Sequence, residues 1–284
     1  MAEAKSLQAS LVVRSEKKVA VQSSLIKMCA KMCENKMPGE KDAQETVKLW
    51  MNTTAKDYHR QLESIWGIGR KVARLAKISK EDFVLDVGCG TGRCTIPVKF
   101  EIGAEIIGVD MSIQRLKTLR SLSKAKIPVV LADATALPFR NKVFNKIISN
   151  EVWIHIPHQN GRKEYISEMA RVIKMNGHVF ISGIYRSIFL PKDTWKRKSK
   201  GWWYAHTFSI AEIIASFTRA ELRNLKVHPS LLLTSRSDIS RASTYAYALY
   251  KVVPNIFKLV VAWFCFSLID IEAYANMTET LLNA

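Results

Sequence analysis

The stretch Phe83-Val84-Leu85-Asp86-Val87-Gly88-Cys89-Gly90-Thr91-Gly92 decides the fold. Its first five residues form an apolar run interrupted only by Asp86, the texture of a short strand buried on both faces. Gly88, Gly90 and Gly92 then let the backbone bend sharply and approach a ligand with no Cβ in the way. A dinucleotide fingerprint requires glycine at position 93, where this chain has Arg93. A phosphate loop requires a lysine followed by serine or threonine, and the stretch has none. A carboxylate two places before the first glycine would repel a pyrophosphate, whereas it suits a cationic ligand.

Downstream, strand and helix patterns alternate. Ile106–Val109 and Val129–Leu131 read as strands with a helix over Ser112–Leu122 between them. Phe144–Ser149 is a fourth strand, followed by a helix over Arg162–Ile173 and a fifth strand, His178–Ser182. Such alternation argues for an α/β fold with a doubly wound, mainly parallel sheet. Upstream, Val47, Trp50, Met51, Tyr58, Leu62, Ile65 and Trp66 recur at helical spacing, predicting two amphipathic helices broken at Gly67 and Gly69. Beyond Tyr185 comes an aromatic and basic insert, Trp195–Phe208. Ser209 with Glu212 then forms a capping box for a helix to Arg219. Strands are expected over 222–233 and 244–253, and a helix over 254–282. The organisation expected is a basic, disordered arm (1–42), a folded domain (43–253) and an apolar helical extension (254–284).

Composition sets outer bounds. At 48% hydrophobic and 24% charged residues, the chain is neither mainly disordered, collagen-like nor a polytopic membrane protein. A net charge of +18 favours anionic partners. The excess is spread, however: +8 over residues 1–80, +4 over 81–183 and +6 over 184–284, with one dense knot at Lys196-Arg197-Lys198-Ser199-Lys200. The five cysteines are too few and scattered for a disulfide framework, and Cys29 and Cys33 have no further ligands nearby, so no metal is expected. That usage suggests a reducing, cytoplasmic setting. The uncharged run Leu259–Ile269 is too short to span a bilayer. It suits a helix packed on the sheet or on another subunit, or else peripheral membrane contact through 254–270.

Three carboxylates stand at successive strand ends: Asp86, Asp110 and Asp133. Asp110 is placed to accept from two ribose hydroxyls, and Asp133 from an adenine exocyclic amine. With Val84–Gly92, the segments Gly108-Val109-Asp110-Met111-Ser112, Ala132–Phe139 and Glu168–Gly177 make four motifs in order. Over residues 45–253 the chain resembles the class I methyltransferases that use S-adenosylmethionine (SAM), in the type 11 group that includes ubiquinone and menaquinone C-methyltransferases. The resemblance implies a Rossmann-like sheet of seven strands, the seventh antiparallel, which suits Thr244–Lys251. It implies SAM as cofactor, with Asp86, Gly88, Cys89 and Gly90 along its methionine portion and Asp110 on its ribose. Met111 would pack on the adenine and Asp133 and Ala134 would read its edge. Asn150 would lie near the amino group, and Tyr58 would close over the cofactor or simply pack in the core.

Methyl transfer from a sulfonium is an in-line displacement, so alignment and exclusion of water matter most. A base is needed only where the acceptor must lose a proton. Candidates follow the fourth strand: His155, as base or as a hydrogen bond fixing its loop, and Glu151, with His158 and His206 weaker. The turn after Asn150 lacks the Pro-Pro of exocyclic-nitrogen methylases, and no cysteine follows a proline as in cytosine C5 methylases. Two acceptor classes remain. One is a small or lipid-like molecule, such as a prenylated quinone, under a cap of N-terminal helices and the Trp195, Trp202, Trp203, Tyr204, Phe208 insert. The other is RNA, since Leu137–Arg140 and Trp153–His155 also resemble wobble-uridine tRNA methyltransferases and the basic knot can meet phosphates. A SAM-binding, non-catalytic partner subunit is the third alternative.

Overall fold

A computed structural model describes residues 39, 42–55, 62–185, 192–229 and 268–275. Two helices, α1 (Ala43–Thr53) and α2 (Leu62–Leu75), precede β1 (Phe83–Val87). After the glycine loop, a helical turn α3 (Thr95–Pro97) runs into a π-helical turn over Val98–Ile102 and then β2 (Glu105–Asp110). Next come α4 (Ile113–Leu122), β3 (Val129–Leu131), β4 (Phe144–Asn150), a 3-10 turn at Trp153–His155, α5 (Gln159–Val172) and β5 (Ile173–Tyr185). A hairpin of β6 (Lys192–Lys198) and β7 (Gly201–Thr207) follows, then α6 (Ile210–Arg219), β8 (Leu222–Pro229) and β9 (Leu268–Ala275).

The main sheet has seven strands in the order β3-β2-β1-β4-β5-β9-β8. The pairings from β3 through β5 are parallel, while β9 lies antiparallel between β5 and β8. The Rossmann-like sheet expected from the motifs is therefore present. Because the chain winds outward from β1 in both directions, the ends of β1, β2 and β4 part at a crevice. One face of the sheet is sealed by Val72 and Ala73 of α2 and by Ala76 just after it, against Val84, Ile106, Ile148 and Phe180.

Several local expectations change. Gly67 and Gly69 do not break the helix: α2 runs through both. A Cβ at Gly69 would come 2.0 Å from the Arg93 carbonyl oxygen, so this glycine serves close packing of α2 against the glycine loop. α5 begins at Gln159 and passes directly into a β5 longer than the five residues expected. The insert after Tyr185 is a regular hairpin. The Ser209 hydroxyl does accept from the Glu212 amide (3.2 Å), but the Glu212 carboxylate turns instead to Arg162 and His206, leaving half a capping box. Among the described residues the antiparallel strand beside β5 is 268–275, a segment expected to be helical. The strand expected over 244–253, the apolar run up to residue 267 and the 1–38 arm lie outside the described residues. No described helix is long and apolar enough to cross a membrane.

Candidate active site

The glycine loop is tied to β2 beside it. The Gly88 and Cys89 amides both donate to the Val109 carbonyl, at 2.7 and 2.9 Å. Gly88 takes φ +73° and a Cβ there would lie 2.1 Å from the Val152 side chain, so the turn needs glycine on both counts. Beneath the loop, Tyr165 donates to Ser149 and Ser149 donates to the Val87 carbonyl, both at 2.7 Å. This chain of buried hydroxyls fixes the ends of β1 and β4 relative to each other.

The acids expected at the strand ends converge on one cavity. It is lined by Asp86, Gly88, Cys89, Gly90, Asp110, Met111, Asp133, Ala134, Asn150, Glu151 and His155. Asp86 is 2% exposed and accepts from the Thr95 hydroxyl at 2.6 Å. Burial raises its carboxyl from an ordinary 3.8 to about 7, with the Asp110 charge adding to the rise. Asp110 accepts from the Gly90 and Ser112 amides at 2.8 Å each, one per oxygen. Each oxygen keeps a further lone pair for a hydroxyl. Burial pushes Asp110 up as well, against Arg115 and those two amides. Asp133 holds a turn and also borders the cavity. One oxygen accepts from the Thr135 amide and hydroxyl (2.9 and 2.8 Å), and the other faces the cavity and Gln44.

Beyond β4, Glu151 adopts φ +56° and its carboxylate meets Arg93 at 2.5 Å. That pair ties the turn after β4 to the glycine loop. His155 Nδ1 lies 2.6 Å from the Tyr204 carbonyl oxygen. A carbonyl only accepts, so Nδ1 carries the hydrogen and Nε2 is left as an acceptor. Burial lowers the His155 pKa, keeping the ring neutral. His206 is held between Asp193 (2.7 Å) and Glu212 (3.0 Å), away from this cavity, and His158 caps α5 on a neighbouring one. Neither joins the site. Tyr58 lies outside the described residues.

The roof comes from α1 and β7, with Val47, Trp50, Met51 and Trp203 on the cavity wall. Val47, Met51 and Tyr204 pack together with Trp50 and Trp195. The motifs carried no signal for Gln44, Trp50, Arg93 or Arg115, all of which line the cavity. Only the helical recurrence of Val47, Trp50 and Met51 hinted that this face covers something. Gln44 Oε1 and Trp50 Nε1 are buried without a hydrogen-bond partner among the described residues. Unmet buried polar atoms in a cavity with cation-favouring carboxylates fit a ligand that is cationic at one end and hydrogen-bonding at the other. SAM, with its sulfonium, ammonium, ribose hydroxyls and adenine, has that chemistry.

Comparison with known proteins agrees. Residues 84–177 match the family model of a methyltransferase domain. An uncharacterised protein of Methanocaldococcus jannaschii is 34% identical over 161 residues, covering 54% of this chain and 59% of its own length. The tRNA (carboxymethyluridine(34)-5-O)-methyltransferase of Arabidopsis thaliana is 32% identical over 110 residues, covering 39% of this chain and 26% of that protein. In fold, the chain resembles the Burkholderia thailandensis 1,6-didemethyltoxoflavin-N1-methyltransferase, solved with its substrate and S-adenosylhomocysteine. The TM-score is 0.56 at 13% identity, over 86% of this chain and 93% of that one. The chain thus spans only about 60% of the length of its uncharacterised relative. Residues 84–177 match a methyltransferase domain, built on a Rossmann-like sheet; the type 11 quinone subgroup is not distinguished by these matches.

Proposed function

We propose that this chain, carrying a class I SAM-dependent methyltransferase domain, methylates a small, largely apolar acceptor at an oxygen or nitrogen that bears a hydrogen. The observation that carries this is the roofed pocket, whose wall brings His155, with its Nδ1 held by Tyr204 and its Nε2 left as an acceptor, together with the apolar Trp50, Met51 and Trp203. When bound, SAM supplies the electrophilic methyl group. Asp86 and Asp110 hold its cationic and ribose portions, and the glycine loop gives its backbone room. The α1 and β7 roof excludes water. Tyr204 holds the His155 tautomer so that Nε2 takes the proton leaving the acceptor. Glu151, paired with Arg93, positions the loop and leaves the base role to His155.

An RNA acceptor is less well supported. One face of each ring that would stack on a base carries a cation: Lys196 lies over the Trp203 ring at 5.8 Å and Arg197 over the Trp202 ring at 5.7 Å. The deciding experiment is transfer of radiolabelled methyl from SAM into extract of the source cells, separated into small-molecule, lipid and RNA fractions. Label in the small-molecule or lipid fraction is expected. Label confined to RNA overturns the acceptor class, and absence of label with SAM still bound favours the non-catalytic alternative.

A further inference from the structure

Gln44, in the first turn of α1, stands where the main cavity meets a second, polar cavity lined by Thr135, His158 and Glu164. Asp133 stands beside it on the same boundary. The Gln44 side-chain nitrogen donates to Asp133 Oδ2 at 3.2 Å, which leaves its oxygen, Oε1, buried and unmet among the described residues. Asp133 fixes which end of the amide faces which way. With the amide turned over, its oxygen would confront the carboxylate. Two acceptors, Gln44 Oε1 and Asp133 Oδ2, therefore stand side by side on residues that border the pocket just beyond β3.

We propose that Gln44 reads the exocyclic amine of the cofactor's purine jointly with Asp133, so that the pocket selects a 6-amino over a 6-oxo ring. The proposal rests on the SAM assignment above. An exocyclic amine carries two hydrogens, one for each acceptor. A 6-oxo purine turns a carbonyl toward the same two acceptors, and Gln44 cannot rotate its nitrogen toward that carbonyl without setting its own oxygen against Asp133. Gln44 is thus a specificity residue supplied by the roof helix.

Calorimetry with S-adenosylhomocysteine and its deaminated counterpart, S-inosylhomocysteine, tests this on the full chain and on Gln44→Met. Methionine keeps the length and helix propensity of glutamine and removes the acceptor. The unmodified chain should prefer the adenosyl compound at least about tenfold, the worth of one buried hydrogen bond. Gln44→Met should shrink that preference about five- to tenfold, through weaker adenosyl binding and not through tighter inosyl binding alone. An unchanged preference in Gln44→Met overturns the proposal. So does the absence of any preference in the unmodified chain, a result that needs no variant to fold. An unmodified chain that binds neither compound overturns the cofactor assignment itself, and this proposal with it.

Discussion

A carboxyl group with a pKa near 7 in a pocket for a cation makes binding a proton-linked event. Asp86 is raised from 3.8 to about 7, mainly by burial. Below pH 7 the cofactor must therefore displace a proton from it. A bound sulfonium and ammonium favour the carboxylate, so SAM affinity should climb by up to about tenfold per pH unit between roughly 5 and 7 and level off above. The sign for stability is opposite. Without ligand, the folded chain keeps a proton that the unfolded chain releases at its ordinary pKa, so this group costs stability as pH rises from about 4 to 7. Titration calorimetry in buffers of different ionisation enthalpy should detect proton release on SAM binding at pH 6. Asp86→Asn should bind more weakly and lose both the proton release and the pH slope; a slope that survives the substitution would assign the linkage elsewhere. The neighbouring Cys89 and Cys94 thiols are pushed up by burial and take no part in this pH range.

At the scale of elements, the roof is held by an ion cluster outside the main cavity. Arg162 on α5 meets Glu212 on α6 at 3.2 Å, Glu212 meets His206 on β7 at 3.0 Å, and His206 meets Asp193 on β6 at 2.7 Å. Tyr204 donates to the same Asp193 carboxylate, and its carbonyl holds His155. The hairpin thereby passes its position to the proposed base. Removing Glu212 takes a charged partner from the buried Arg162 and His206, so Glu212→Ala should destabilise by about 3 kcal/mol. Guanidinium melts measure that loss, and a cost below about 1 kcal/mol would mean that the cluster is as weak as a surface pair. Burial raises the Glu212 and Asp193 carboxyls, but hydrogen bonds from His206, joined by Tyr204 at Asp193, and the nearby Arg162 charge hold both below their ordinary values. Their contribution is present above pH about 4–5 and fades as pH falls through the lowered values. The sequence showed the ends of the parallel strands and their acids, because a buried strand followed by glycines is a local signal. It did not show this cluster, whose members lie on four elements. It suggested a capping box at Ser209 and Glu212 because spacing alone cannot tell that the glutamate's better partners are a distant arginine and histidine.

At the scale of the molecule, the same limit hid a strand. Leu268-Ile269-Asp270-Ile271-Glu272-Ala273-Tyr274-Ala275 carries two acids, yet Asp270 and Glu272 are as buried as Ile271 and Ala273. Composition argues against such a segment in the middle of a sheet, since a buried carboxylate without partners is costly. The partners are supplied from far along the chain. Asp270 accepts from the Gly183 amide, 87 positions away, at 2.9 Å, and Glu272 meets His178, 94 positions away, at 3.1 Å. Lys226 on β8 adds a contact to Glu272 at 3.4 Å. β9 therefore locks β5 to β8 with both backbone ladders and buried charge. A chain ended at residue 253, as a dispensable C-terminal extension would allow, loses the strand that joins β8 to the sheet and opens the long apolar edge of β5. Val179 and Ile181, wholly buried in the intact molecule, lie along that edge. Such a chain should fail to give a cooperative melt, aggregate and bind no S-adenosylhomocysteine. Asp270→Leu in the full chain should be milder, since one backbone amide loses its acceptor while the strand remains. A soluble, cooperatively folding chain of residues 1–253 that still binds the nucleoside would show that the sheet closes without β9 and that the family's antiparallel strand lies upstream of residue 254.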